Sequence, residues 1–193
     1  MNINNRIEVD YYNEIAKSLV NTVVANLDNS KFVVKILIGE ISSGLRTLIA
    51  NGYEAGDLLK TFSKNVHKLH LDISLLVENK ENGKFELVIF EVKRTKKLGL
   101  QQLSQLIGYC LVSKCKFGVL INVDNSVSGE FSVILDGDKD LTKITRIVNQ
   151  EEIEHEFGVM VWNSKTQKIS YTEAGEIKTI PQLTQKIVNL IKE

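Results

Sequence analysis

The sequence predicts an α/β fold with a mixed central sheet flanked by helices. Three observations carry that prediction. Residues 66–77 alternate apolar positions (Leu69, Leu71, Ile73, Leu75, Val77), turn at NKENG (79–83) and return as FELVIFEVK, which is a β-hairpin. GLQQLSQLIGYCLVS (99–113) reads as a helix, and FGVLINV (117–123) is a short β-branched run suited to a buried strand. Helix, hairpin, helix, strand in that order implies a mixed sheet closed by a right-handed crossover.

The remaining elements follow in chain order. DYYNEIAKSLVNTVVANL (10–27) places Ile15, Leu19, Val20, Val23, Val24 and Leu27 at helical spacing, with Asp10 as N-cap. KFVVKILIGE (31–40) is apolar on every side and fits strand or helix, and EISSGLRTLIAN (40–51) is a helix stopped by Gly52. Beyond residue 124 the signals predict a strand near 130–135, a helix near 138–149, strands near 157–163 and 167–172, and a last helix from Pro181 with Thr179 as N-cap. These either complete the sheet or cover an interface.

A chain of 193 residues is long enough for one good core, so the expectation is a single domain over 1–193, with core motifs at 66–123 and a C-terminal extension over 124–193. There are 24 basic and 24 acidic side chains, so a polyanion must be recognised by a local patch and not by the field of the whole molecule. No run approaches the roughly 18 apolar residues of a membrane span, and no leader is expected from MNINNRIEVDYY; the reading is a cytoplasmic protein with no membrane partner. Two thiols, Cys110 and Cys115, with no CxxC or His/Cys cluster beside them, read as reduced core residues.

The chemistry is concentrated in FELVIFEVKRTKK (85–97). A charge inside an apolar strand is costly unless it is paired, coordinated or used. Alternation puts Glu91 and Lys93 on one face, and a hairpin centred near residue 81 pairs position 72 with about position 90, so Asp72 comes close to Glu91. Two carboxylates and an ammonium suit Mg²⁺ or Mn²⁺ chemistry, with Asp72, Glu91 and the Val92 carbonyl as ligands, and Lys93 to hold a water and offset charge on a phosphorane-like transition state. Arg94, Lys96 and Lys97 stand where they can grip a phosphate backbone. Gln101, Gln105 and Tyr109 form a polar helical stripe opposite Leu100, Leu103, Ile107 and Leu111.

Each feature has a plainer reading. The pattern E-x-K occurs at Glu78/Lys80, Glu91/Lys93 and Glu176/Lys178; the first falls in the turn and the last in a polar tail, where a solvated pair suffices. Lys93 could blunt an edge strand, Asp72 could accept backbone hydrogen bonds, KRTKK could be a solvated face, and the glutamines with Tyr109 could pack on polar neighbours. His67 and His70 are not needed by the proposed chemistry.

LDISLL, then EVK, then QLIGY (Gln105 to Tyr109) resembles the PD-(D/E)XK nuclease superfamily, with the QxxxY element of its RecB-type members. The resemblance spans about residues 66–123 and implies a restriction-endonuclease-like αβββαβ core. It implies Asp72 and Glu91 as metal ligands, Lys93 as the catalytic lysine, and Gln105 and Tyr109 as substrate-positioning residues. Residue 71 is Leu where the eponymous motif has proline, and the iron–sulfur branch of the superfamily needs four cysteines, two more than this chain has. Many members add a glutamate from the helix before the hairpin, for which Glu40 is the first choice and Glu14 the second. The expected function is a metal-dependent endo- or exodeoxyribonuclease acting on DNA, with a dimeric Holliday-junction-resolvase-like enzyme preferred over a RecB-type exonuclease or a restriction-like enzyme, and the apolar 31–38 run or the C-terminal third as the homodimer surface. The alternatives are a non-catalytic nucleic-acid-binding module of the same fold and a structural assembly protein with Glu91 and Lys93 in an interface salt bridge.

Overall fold

The structure is a computed structural model that describes residues 6–148 and 150–192. A 3-10 turn (Glu8–Tyr11) leads into α1 (Tyr12–Val24), followed by β1 (Phe32–Glu40), α2 (Ile41–Ala50), α3 (Asp57–Asn65), β2 (His70–Asn79) and β3 (Phe85–Lys93). Then come α4 (Leu100–Ser113), β4 (Phe117–Val123), α5 (Gly129–Gly137), β5 (Lys143–Val148), β6 (Glu151–Asn163), β7 (Lys168–Gly175) and α6 (Ile180–Lys192). The seven strands form one mixed, open sheet in the order β1-β2-β3-β4-β6-β5, with β7 also pairing β6. β1, β2 and β3 are mutually antiparallel, β3, β4 and β6 run parallel, and β5 and β7 return antiparallel to β6. The parallel β3–β4 pair is what the α4 crossover requires.

Alternation sorts the hairpin onto two cores. Ile73, Leu75, Val77, Val88, Phe90 and Val92 pack with Ile15 and Leu19 of α1 and Leu183 and Ile187 of α6. Leu76, Leu87 and Ile89 face the other way, against Ile41 and Leu45 of α2 and Leu103 and Leu106 of α4. Each such buried aliphatic contributes ~1.5–3 kcal/mol, enough in number for the sheet to carry a few costly charges at its end.

One irregularity places the chemistry. Between β1 and β2, Ile38 pairs with Ile73 but Gly39 with Leu71, so Asp72 is an extra residue opposite no partner, a β-bulge. The β2–β3 ladder ends at the same point, with Ile73 opposite Phe90. Asp72 therefore stands where two strands part, within one register step of the pairing the sequence predicts. Gly39, across the bulge, has φ +88°, a backbone conformation that suits glycine.

Four sequence expectations change. The run expected as a strand near 130–135 is α5, because Ser128 caps it by accepting from the Phe131 N–H and because Phe131 and Leu135, four apart, are its buried positions. The helix expected near 138–149 is largely β5, whose exposure alternates with period two and whose partner is the first half of β6. Asp10 does not cap α1; its carboxylate accepts from the Ile7 N–H and closes the preceding 3-10 turn. In α4 the buried stripe is Leu103, Leu106, Cys110 and Ser113, and Leu100 is exposed. The C-terminal third completes the sheet and supplies α6, with Thr179 accepting from the Gln182 N–H at its start. Cys110 and Cys115 are free and buried. Among the described residues no helix is long and apolar enough to cross a membrane.

Candidate active site

Lys93 ends β3, and its ammonium lies 2.5 Å from Glu91 Oε1, 3.8 Å from Asp72 Oδ2 and 3.8 Å from Glu8 Oε1. Three carboxylates from three elements thus converge on one ammonium: the bulge of β2, the strand β3, and the turn before α1. The Glu91 side chain is 2% exposed, and its Oε2 is buried with no hydrogen-bond partner among the described residues. A buried carboxylate oxygen left without a donor is expensive, and few survive in folded proteins without a use.

Asp72 is held from both sides. The Val92 N–H donates to Oδ2 at 2.8 Å, which the parting of β2 and β3 makes possible, and the Tyr12 hydroxyl donates to Oδ1 at 2.5 Å. Glu8 is fixed in turn, since its Oε2 accepts from the Arg94 N–H at 3.1 Å and its Oε1 lies 3.4 Å from the Tyr12 hydroxyl. Burial pushes the Glu91 carboxyl above the ordinary range, and the Lys93 hydrogen bond pulls it back only in part. For Lys93 burial acts downward, yet the bond to Glu91 and the charges of Glu91, Asp72 and Glu8 outweigh it and raise the ammonium. Burial, then the bond to Asp72, raises Tyr12 and keeps it a neutral donor. With all three acids ionised the cluster holds one positive charge against three negative ones, so a further cation would be favoured there.

The sequence expectations divide. Asp72, Glu91 and Lys93 come together. Val92 contributes through its N–H, bonded to Asp72. Glu40 lies elsewhere: it stands opposite His70 at the end of β1, and its carboxylate takes a short hydrogen bond from Ser42 that holds its pKa low. Glu14 is ion-paired with Arg6 at 3.0 Å. Arg94 is half-buried, its guanidinium donating to the Arg6 carbonyl and lying 5.8 Å from the Tyr11 ring, whereas Lys96 and Lys97 are exposed. On α4, Gln101 is exposed and Gln105 donates to the Tyr109 hydroxyl at 2.9 Å, so these two side chains bond to each other and make no hydrogen bond to the acid cluster. His67 and His70 are exposed.

Three residues were not read from the sequence. Glu8 supplies the third carboxylate, and Tyr12, four residues on, orients Asp72; their spacing across the start of α1 was the available signal. Asn122, fully buried and opposite Lys93 in the β3–β4 register, grips the backbone of Thr95 twice, accepting from its N–H and donating to its carbonyl, which fixes the loop carrying Arg94, Lys96 and Lys97. A lone amide within an otherwise apolar strand was the signal there. Among the described residues no group of three or more histidine, cysteine, aspartate or glutamate side chains is arranged to hold a metal ion. No family model, curated protein or solved structure matches the chain.

Proposed function

We propose that this protein is a Mg²⁺- or Mn²⁺-dependent deoxyribonuclease that hydrolyses phosphodiester bonds at the Asp72–Glu91–Lys93 cluster. The observation that carries the reading is the buried, unpartnered Oε2 of Glu91 beside two further carboxylates and an ammonium. Support comes from the element order, a helix, an edge strand, a hairpin, a crossover helix and a parallel strand, which follows the αβββαβ pattern apart from α2 and α3 between the first and second strands.

The donor set suits a hard divalent ion, since it is all carboxylate oxygen and one of those oxygens has no protein partner. Asp72 and Glu91 would hold the ion, with Glu8 at the edge of the same pocket; when bound it supplies Lewis-acid polarisation of the phosphoryl group and lowers the pKa of the water it holds. The chain does the rest. Tyr12 and the Val92 N–H fix the rotamer of Asp72, so that carboxylate needs no reorganisation before reaction. Lys93, whose ammonium lies among the three acids, would hold a water near the ion and offset negative charge developing on the phosphoryl group. Arg94, Lys96 and Lys97, following directly on β3, would bind the flanking backbone phosphates.

The reading is tested by incubating the protein with plasmid, linear and four-way-junction DNA, with Mg²⁺, with Mn²⁺ and with chelator. Cation-dependent cleavage that Glu91→Gln and Lys93→Ala abolish, with DNA binding retained, is the expected result. Cleavage untouched by either substitution rejects it, binding without cleavage under any metal favours a non-catalytic nucleic-acid module, and neither activity favours an assembly role.

A further inference from the structure

The parallel strands β3, β4 and β6 end side by side, with Lys93 opposite Asn122 and Val123 opposite Trp162. In α/β sheets ligands collect just outside the carboxyl ends of such strands. A cleft of about 600 Å³ lies there, lined by Arg94 and Lys96 after β3, Asp124 after β4, and Asn163, Ser164 and Lys165 at the end of β6. We infer that this cleft is a second, non-catalytic subsite for a backbone phosphodiester of a polynucleotide strand, with Lys165 as its principal cation. This rests on the reading of the neighbouring cluster as a phosphodiesterase.

Charge and rigidity distinguish this cleft. The single acid of the cleft, Asp124, is consumed within the wall: Oδ1 accepts from the Ser164 N–H and Oδ2 from the Ser164 hydroxyl, each at 2.7 Å. Asn163 braces the next turn by accepting from the N–H groups of Lys165 and Thr166 at 3.1 and 2.9 Å. Across the cleft Asn122 clamps Thr95, so both cationic walls are tied to the sheet. Lys96 and Lys165 are exposed and form no ion pair among the described residues. The cleft thus sets three cationic side chains, Arg94, Lys96 and Lys165, on loops tied to the sheet against one carboxylate whose oxygens already accept hydrogen bonds, which is the charge balance of an anion site. The cavity lined by Lys116, Glu152, Glu154, Glu156 and Lys186 makes the contrast: acids outnumber cations there, and Lys186 is already bound to Glu156 at 2.6 Å. Arg94, the residue after Lys93, lines the cleft, so the cleft opens at the loop that leaves the acid cluster.

The test measures the salt dependence of binding of labelled 20-nucleotide single-stranded and 20-base-pair duplex DNA, in Ca²⁺, for wild type, Lys165→Glu, the milder Lys165→Gln, and Lys64→Glu on α3 as a control for one reversed charge. Both Lys165 variants should flatten the slope of log affinity against log salt by about 0.9 on duplex or about 0.7 on single strand, one phosphate contact, beyond any change in Lys64→Glu. A Lys165 slope equal to that of the control overturns the inference, as does wild-type protein that binds neither DNA. Wild-type hydrolysis of bis(p-nitrophenyl) phosphate in Mn²⁺ judges the catalytic cluster separately: a flattened slope without hydrolysis keeps the subsite and rejects the phosphodiesterase, and hydrolysis with an unchanged slope does the reverse.

Discussion

The two ends of the β2–β3 hairpin each bury a glutamate followed two residues later by a lysine, and the two behave oppositely. Glu78 lies in β2 and is 4% exposed, not in the turn as its sequence context suggested. Its Oε1 accepts from the Gly56 N–H at 2.6 Å and its Oε2 takes a short bond from the Tyr53 hydroxyl, while Lys80 reaches away to the Asn29 and Ser30 carbonyls. Both oxygens are satisfied, and the result is a tie between the hairpin and the loop before α3. Glu91 is 1% exposed, bonds to its own lysine through one oxygen, leaves the other unpartnered, and faces two more carboxylates. Glu78 thus ties two parts of the fold together, whereas Glu91 keeps an unsatisfied oxygen among like charges, the pattern that marks a candidate functional carboxylate.

The largest expected effect breaks that comparison on activity. Glu91→Gln removes the charge and keeps the shape, and should lower cation-dependent cleavage by ~10²–10³-fold, on the scale of losing a principal electrostatic contact of the transition state. Glu78→Gln, at the far end of the same strand pair, should leave kcat within a few-fold. Equal losses in single-turnover cleavage by the two variants would remove the distinction.

Stability should rank them the other way. Glu78→Ala strands the Tyr53 hydroxyl and the Gly56 N–H and should cost about 3 kcal/mol in urea unfolding, at 1–3 kcal/mol for each buried group left unsatisfied. Glu91→Gln relieves repulsion from Asp72 and Glu8 and should be neutral or stabilising. A Glu91→Gln protein less stable than Glu78→Ala would make Glu91 the structural residue.

Metal sharpens the contrast further. An ion that binds only the folded state raises stability by ~2.7 kcal/mol at a hundredfold excess over its Kd, so Mn²⁺ should raise the Tm of wild type and of Glu78→Gln, but not that of Glu91→Gln. Because burial raises the Glu91 pKa and the ion needs the ionised form, the Mn²⁺ effect should weaken as the pH falls toward the ordinary carboxylate range.

What the sequence disclosed follows the same division between local and distant causes. Period-two alternation and a charged pair inside an apolar run are written into consecutive residues, so the hairpin, Asp72, Glu91 and Lys93 were legible, as were α4 and β4. The bulge that turns Asp72 toward Glu91 depends on how β1 pairs, and nothing in LDISLL announces it. Glu8 reaches the Arg94 N–H across 86 residues and Tyr12 reaches Asp72 across 60, so their roles exist only once α1 has docked against the end of the sheet. For the same reason Glu40 and Glu14 were reasonable candidates on sequence and lie with other partners in the structure. FSVIL and KITRIV were exchanged between helix and strand because a cap at Ser128 and pairing with β6, not intrinsic preference, decide them.

The third glutamate of the two hairpin strands gives the smallest and most delicate test. Glu86, opposite Val77, accepts long hydrogen bonds from the Leu87 and Lys116 N–H groups at 3.3 and 3.4 Å and forms no ion pair among the described residues. Burial pushes it up to about 7, with the two N–H groups acting only weakly in the other direction. The folded state then holds this proton more tightly than the unfolded chain, so the contribution of Glu86 to stability is greatest below the unfolded value of 4.5 and falls as the pH rises from 4.5 to about 7, staying level above. Glu86→Gln should therefore lose on the order of 1 kcal/mol less than wild type across that window, the figure allowing for the water that reaches a half-buried side chain. Urea unfolding at half-unit steps from pH 4.5 to 8 reads the difference directly, and subtraction of the two curves cancels the contribution of Glu91, which is raised in the same direction. Parallel curves would place Glu86 in water, and the hairpin would then bury two glutamates of contrasting kind and no third.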